Sequence, residues 1–442
     1  MARTRILILG AAGKDFQVFN TLYREDDSVE VVGFTAQQIP HIEDRQYPPS
    51  IAGDLYPDGI TIYPEEDLDR LIEELQVDRC VMAYSDVSHE YVMHLAARVN
   101  ALGPSFELPS ETKTMYESNL PVVAVCAVRT GVGKSQTSRA VARELRDAGL
   151  KVAVIRHPMP YGDLAKQKVQ RFADEDDLVK HDVTIEEREE YEPHIANGSV
   201  VFAGVDYGAI LEEAEKEADV ILWDGGNNDT PFYVPDVHIT LVDPHRPGHE
   251  LTYYPGETNL RMADVVVINK VVTADPANVQ KVRENVLSVN PEAEILEAAS
   301  PLFVDDPSVL KGKKVLAVED GPTLTHGGMK YGAGTLGARQ SGAAELIDPR
   351  PFLVGELKDT FEAYPDLGIL LPAMGYGQKQ VKDLEATIKK AVDGGVEALA
   401  VGTPIDLSRL VDIPVPFTRV RYELQVLGTP TLKDVLAPVL KG

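Results

Sequence analysis

Between residues 121 and 135 the chain reads PVVAVCAVRTGVGKS: an apolar run, two spaced glycines, a lysine, a serine, and then a helical pattern. That order suits a nucleoside triphosphate. Backbone N–H groups of the turn and the helix N-terminus wrap phosphates, Lys134 offsets their charge, and the Ser135 hydroxyl can ligate Mg²⁺. Gly131, Val132, Gly133, Lys134, Ser135 and Gln136 are the expected nucleotide contacts. Arg129 adds a second catalytic cation, while Val128 replaces the first glycine of G-x4-G-K-[ST]. The bland alternative is a tight strand–helix turn with a chance GKS, and the context on both sides argues against it.

A second chemical segment is Val220-Ile221-Leu222-Trp223-Asp224-Gly225-Gly226, four apolar residues ending in an acid and two glycines. This is the form of a Walker B strand. Asp224 would share Mg²⁺ with Ser135, and the Gly225 backbone could approach the γ-phosphate. Asn227 and Asn228 extend the loop, either toward substrate or as ordinary turn-formers. Arg156-His157-Pro158 to Asp163 follows another strand. Arg156 and Asp163 are placed to bind substrate there, and His157 to act in catalysis. Residues 318–334 combine acids, hydroxyls, His, Lys and glycines. Thr323, Thr325, His326 and Lys330 are expected to form a second anion site. The loop around Thr403 is placed to close over the nucleotide base. The acidic helix pattern at 186–192 (EEREEYE) reads mostly as solvated charge pairs, although Arg188 or Glu189 could face the cleft.

These residues need strand ends and helix starts to hold them. Residues 1–117 alternate short apolar strands with amphipathic helices, which predicts a doubly wound parallel sheet of Rossmann type. Its loop Gly10–Asp15 lacks the full G-x-G-x-x-G, and no acid follows the second strand. Dinucleotide binding is therefore unsupported, and the loop either holds an anion or is a structural turn. Residues 118–312 restart the alternation around the phosphate loop. Residues 313–442 form a C-terminal α/β extension that supplies substrate loops.

Composition narrows the classes. The 442 residues carry 43 basic and 70 acidic side chains, a net charge of −27. Such a surface disfavours nucleic acid and anionic membranes as partners. Cys80 and Cys126 fall in apolar strands and make no disulfide framework, which suits a cytoplasmic location. The opening MARTRILILGAAG reads as a first strand, not a signal peptide. No apolar segment approaches ~20 residues, so no membrane span is expected. A homodimer is the expected assembly.

The phosphate loop resembles the variant loop of the dethiobiotin-synthetase, MinD and nitrogenase-iron-protein group. Val265–Lys270 is similar to the base-recognition strand of GTPases, with Asn269 and Lys270 on the base. The acid expected at 272 is Val272, which tilts the nucleotide from GTP toward ATP. Taken together, GAAGKDF (10–16), AYSDVSHE (83–90), RTGVGKS (129–135), RHPMPYGDL (156–164), DGGNND (224–229), VINK (267–270) and VEDGPTLTHGG (318–328) resemble the cyclic 2,3-diphosphoglycerate synthetase family and its relatives labelled predicted GTPases. That resemblance implies ATP-driven closure of a phosphorylated small acid into an intramolecular phosphoanhydride, with ADP and phosphate released. The alternative is a regulatory or metallochaperone-like GTPase switch acting on a protein partner.

Overall fold

The computed structural model describes residues 3–11, 13–37, 45–157, 163–226, 228–320, 331–373 and 378–440. Among the described residues three large sheets follow one another along the chain, with a two-stranded pairing of Val87–Ser88 and Tyr253–Tyr254 besides. The first runs in the order Gln46–Tyr47, Ile60–Pro64, Val29–Ala36, Thr4–Leu9, Arg79–Met82, Ser105–Glu107. It is parallel apart from its Gln46–Tyr47 edge. Strand order reverses at Thr4–Leu9, so the crevice for a ligand opens beyond that strand and its neighbour Arg79–Met82. The loops beginning at Gly10 and Ala83 sit there.

The second sheet has nine strands in the order Gln170–Phe172, Val200–Ala203, Val152–Arg156, Val220–Trp223, Val122–Ala127, Val237–Val242, Val265–Ile268, Glu294–Ala299, Gln425–Leu427. Its interior strands are parallel to one another and largely apolar. Val122–Ala127 is buried throughout, as a strand covered by helices on both faces must be. Val220–Trp223 lies directly beside it, which brings the acid of one strand to the loop of the other. The third sheet joins Leu302–Val304, Phe417–Tyr422, Ala398–Val401, Lys314–Asp320, Glu345–Leu346 and Leu371–Ala373. The molecule is thus α/β, with a Rossmann-like first sheet, a P-loop sheet and a C-terminal α/β unit. The last strand, Gln425–Leu427, crosses back to pair with the second sheet. Among the described residues no helix is long and apolar enough to cross a membrane.

One sequence expectation changes here. The acidic helix Ile185–Ala196 buries Glu186, Glu187, Arg188, Glu189 and Glu192. It lies between the second and third sheets, so its carboxylates face polar groups of the protein and not only solvent. The polar stretch 107–119 likewise buries Glu111.

Candidate active site

Phosphate-loop geometry follows from its glycines. Gly131 and Gly133 take φ of 81° and 111°, left-handed values that let the chain turn tightly into the helix Lys134–Asp147. A Cβ on Gly133 would come within 2.2 Å of Asn269 Nδ2. Ser135 is exposed at the helix start, facing the cavity.

Asn269 and Lys270 brace this loop. Asn269 Nδ2 donates to Val132 O at 2.8 Å, and its Oδ1 accepts from the Lys270 N–H at 2.9 Å. Lys270 Nζ donates to Gly131 O at 2.6 Å and to Asp243 Oδ2 at 2.8 Å. Asn269 is fully buried, so the residue assigned to base recognition is engaged with the loop instead. Asn269→Ala should therefore weaken nucleotide affinity roughly 5–30-fold, the equivalent of one lost buried hydrogen bond at about 1–2 kcal/mol, as measured by equilibrium titration.

Asp224 stands at the centre. It is fully buried, with Lys134 Nζ at 2.6 Å, Arg156 Nη1 at 2.5 Å and His194 Nε2 at 3.1 Å. Burial opposes its charge, but Arg156 and Lys134 outweigh burial and hold its carboxyl well below the usual range. Arg156 also pairs with Glu190. Burial drives His194 toward the neutral form against the pull of Asp224.

The first sheet reaches into the same place. Asp86 takes a φ of 57° and accepts from the Thr130 N–H at 3.2 Å and the Thr130 hydroxyl at 2.6 Å, with Arg129 Nε 3.4 Å away. Arg129 lies over the Tyr253 ring, 4.0 Å from its centroid. Strand pairs Tyr253–Ser88 and Tyr254–Val87 stitch the two units together. Lys14 is buried and donates to Glu111 at 2.6 Å; burial opposes its charge, and Glu111 restores it. His157 is buried among Tyr207, Trp223 and Phe232, and burial with Arg156 pushes its pKa down to about 3. It is a neutral imidazole at working pH.

One cavity of about 770 Å³ joins these groups. It is lined by the phosphate loop, by Lys14, Ser85, Arg156, His157 and Asn228, and by Glu186, Glu187, Glu189 and Glu190 of the acidic helix. Of the expected site residues, Arg129, Gly131, Gly133, Lys134, Ser135, Gln136, Lys270, Arg156, His157 and Asn228 line it. Asp163 does not. It caps the Ala165 N–H at 3.0 Å on an exposed turn. Thr403 is buried, donating to Glu189 Oε1 at 2.7 Å, and so ties the acidic helix to the third sheet instead of closing on a base. Gly225 packs where a Cβ would meet the Trp223 ring at 2.4 Å. Asn227, Thr323, Thr325, His326 and Lys330 lie outside the described residues. Sequence reading held Ser85, Asp86 and Asp229 only within the segments AYSDVSHE and DGGNND, with no role of their own, and missed Glu190, His194, Asp243 and Arg246, which gain their places only when separate strand ends meet.

No group of three or more His, Cys, Asp or Glu forms a metal cluster among the described residues. One hydroxyl and one carboxylate, Ser135 and Asp224, are what a Mg²⁺ held mainly by phosphates and water requires. The Asp224 oxygen now engaged by Lys134 becomes available once that lysine turns to phosphate, so the donor set fits the ion.

A strand, a glycine turn, a helix-borne lysine and an adjacent strand-end acid define an α/β P-loop nucleotide-binding protein. The model of the cyclic 2,3-diphosphoglycerate synthetase P-loop domain matches residues 171–299. "Arginine synthetase ArcE" of Thermococcus kodakarensis is 60% identical over 434 residues, 98% of this chain and 96% of the relative. The cyclic 2,3-diphosphoglycerate synthetase of Thermococcus sibiricus is 25% identical over 271 residues, 55% of this chain and 59% of its own. The chain belongs to the cyclic 2,3-diphosphoglycerate synthetase family of P-loop synthetases. Among solved structures, LpxK of Aquifex aeolicus in complex with ATP is a distant likeness, at 12% identity and a TM-score of 0.44, covering 84% of this chain and 99% of that one.

Proposed function

We propose that this chain is an ATP-dependent synthetase that forms arginine. The cavity's charge carries the reading. Among the described residues every lining lysine and arginine except Arg139 already has a carboxylate partner, and the helix Ile185–Ala196 adds four glutamates to the wall. Such a wall suits a zwitterionic or cationic amino acid better than an acceptor with two phosphates, which repel carboxylates. The nearly full-length relative named arginine synthetase supplies the product.

In this reading the acceptor is the ureido amino acid that carries oxygen where arginine carries nitrogen, citrulline. Its ureido oxygen attacks the γ-phosphorus, and ADP leaves. Ammonia then forms the C–N bond, and phosphate departs with the former ureido oxygen. Lys134, released from Asp224, offsets charge on the γ-phosphoryl group, and the loop N–H groups orient it. Ser135 and Asp224 would hold Mg²⁺, which when bound neutralises β- and γ-phosphate charge.

A second reading, closure of 2,3-diphosphoglycerate, is favoured by the matching P-loop model and by Arg139, the cavity cation without an ion pair among the described residues. The test incubates the protein with ATP or GTP and either citrulline plus ammonium or a panel of phosphoglycerates. Products are read by amino-acid analysis and ³¹P NMR. Arginine, ADP and phosphate in equal amounts support the first reading. A cyclic phosphoanhydride replaces it with the second, and nucleotide turnover that answers only to an added protein replaces both with a switch.

A further inference from the structure

Five residues beyond Asp224 the same loop carries another buried acid. Asp229 is 4% exposed yet lies in the cavity wall. Its Oδ1 accepts from the hydroxyl of Ser85, which stands just beyond the Arg79–Met82 strand of the first sheet. Its Oδ2 is 3.3 Å from His157 Nε2, out of line for a hydrogen bond. His157 is neutral, and Lys14, the cation whose field reaches Asp229, is engaged by Glu111. Asp224, Lys14 and Glu111 are all ion-paired; Asp229 is a buried carboxyl whose hydrogen-bond partner is a neutral hydroxyl. Packing alone gives no reason to keep such a group, because burying a carboxylate without a cation is costly.

We propose that Asp229 is the catalytic base that takes the proton of the incoming ammonium ion. The proposal rests on the arginine-forming reading. Ammonium transfers one proton to the Asp229 carboxylate, and the freed nitrogen lone pair forms the C–N bond. The C–O bond to the phosphorylated oxygen breaks, phosphate leaves, and Asp229 returns its proton to solvent once the site opens. Its position fits this order: Asp229 sits where the first sheet's strand ends meet the phosphate-loop sheet, on the cavity that also holds Lys134.

The surroundings set its proton affinity suitably. Burial pushes the Asp229 pKa up to about 7; Lys14 and the Ser85 hydrogen bond pull it down, while Glu111 and Asp15 push it up. His157, Tyr207 and Cys126 complete the titratable groups around it; burial pushes the Tyr207 and Cys126 pKa values up and the His157 pKa down, so all three are neutral. A base half ionised near neutrality combines the needed protonation state with useful basicity.

The test compares wild type, Asp229→Asn and Ser85→Ala. Asp229→Asn should lower ammonium-dependent arginine formation roughly 10²–10⁴-fold. It should keep bridge-to-nonbridge oxygen scrambling in ¹⁸O-labelled ATP with citrulline and no ammonium, which reports the phosphoryl step alone. Ser85→Ala removes a hydrogen bond that favours the carboxylate, so the acidic limb of kcat/KM for ammonium should move to higher pH. Asp229→Asn with a wild-type rate and pH limb overturns the assignment, as does equal loss of oxygen scrambling and arginine formation. Should Asp229→Asn fail to fold, an unmoved limb in Ser85→Ala overturns it. A wild-type protein that makes no arginine from citrulline and ammonium overturns the functional reading itself, and this inference with it.

Discussion

Lys134→Ala should reduce nucleotide turnover by roughly 10²–10³-fold or more, the usual cost of removing a donor aimed at charge that develops in transfer. Lys134 Nζ lies 2.6 Å from Asp224 Oδ1, so the ammonium group stands between the loop and the Walker-type acid. Phosphate binding needs only a short swing of that side chain. Without it the loop N–H groups still wrap the phosphates, and charge on the departing γ-phosphoryl group goes unmatched. The fold should survive, because Asp224 keeps Arg156 at 2.5 Å and His194 at 3.1 Å. A coupled assay for ADP, run beside a thermal melt, separates the two effects. Turnover near that of wild type would remove the phosphate loop from the mechanism. Lys134→Arg should rescue little, since a planar guanidinium cannot replace a compact ammonium at the loop.

The loop and its acid were legible in the sequence because their chemistry is local. A buried parallel strand, a turn needing left-handed glycines and a helix start are written within fifteen residues, and Asp224 ends an equally plain apolar run. The three α/β units were legible from alternation. What lay hidden is tertiary. Glu186–Glu192 has the composition of a solvated helix face, and only the third sheet packed across it, with Thr403 donating to Glu189, makes it a cavity wall. Asp229 stood in the sequence only as the last residue of DGGNND, and its burial beside Ser85 arises when the first sheet packs against that loop. Asn269 was found by motif, but its partner is Val132 and not a base. Short edge strands such as Gln425–Leu427 carry too few residues for any periodicity to show.

Arg156→Ala should be the most destabilising single change at the site. The guanidinium is buried and bridges Asp224 and Glu190, so its loss leaves Asp224, a fully buried carboxylate, with weaker compensation. Removing one partner of such a pair costs about 3–5 kcal/mol, which corresponds to a fall in Tm on the order of 10 °C. Linkage gives a second signature. Asp224 has a depressed folded pKa, so its contribution is present above the unfolded value of about 3.9 and is lost as pH falls through the folded one. In wild type that loss falls at strongly acidic pH, because Arg156 and Lys134 hold the carboxyl well below its usual range. In Arg156→Ala the folded pKa rises, so the variant should be less stable at neutral pH and shed the remainder at a less acidic pH. Adding Asp224→Asn to Arg156→Leu removes the charge that was left exposed to the protein interior. The double variant should therefore recover part of the lost Tm, since replacing both partners of a buried pair is often close to neutral. Its turnover should stay at the background level, because the acid beside the phosphate loop is gone. Denaturation as a function of pH checks the first half of this expectation, and the ADP assay on the refolded double variant checks the second. Recovery of activity along with stability would show that Asp224 serves the fold alone.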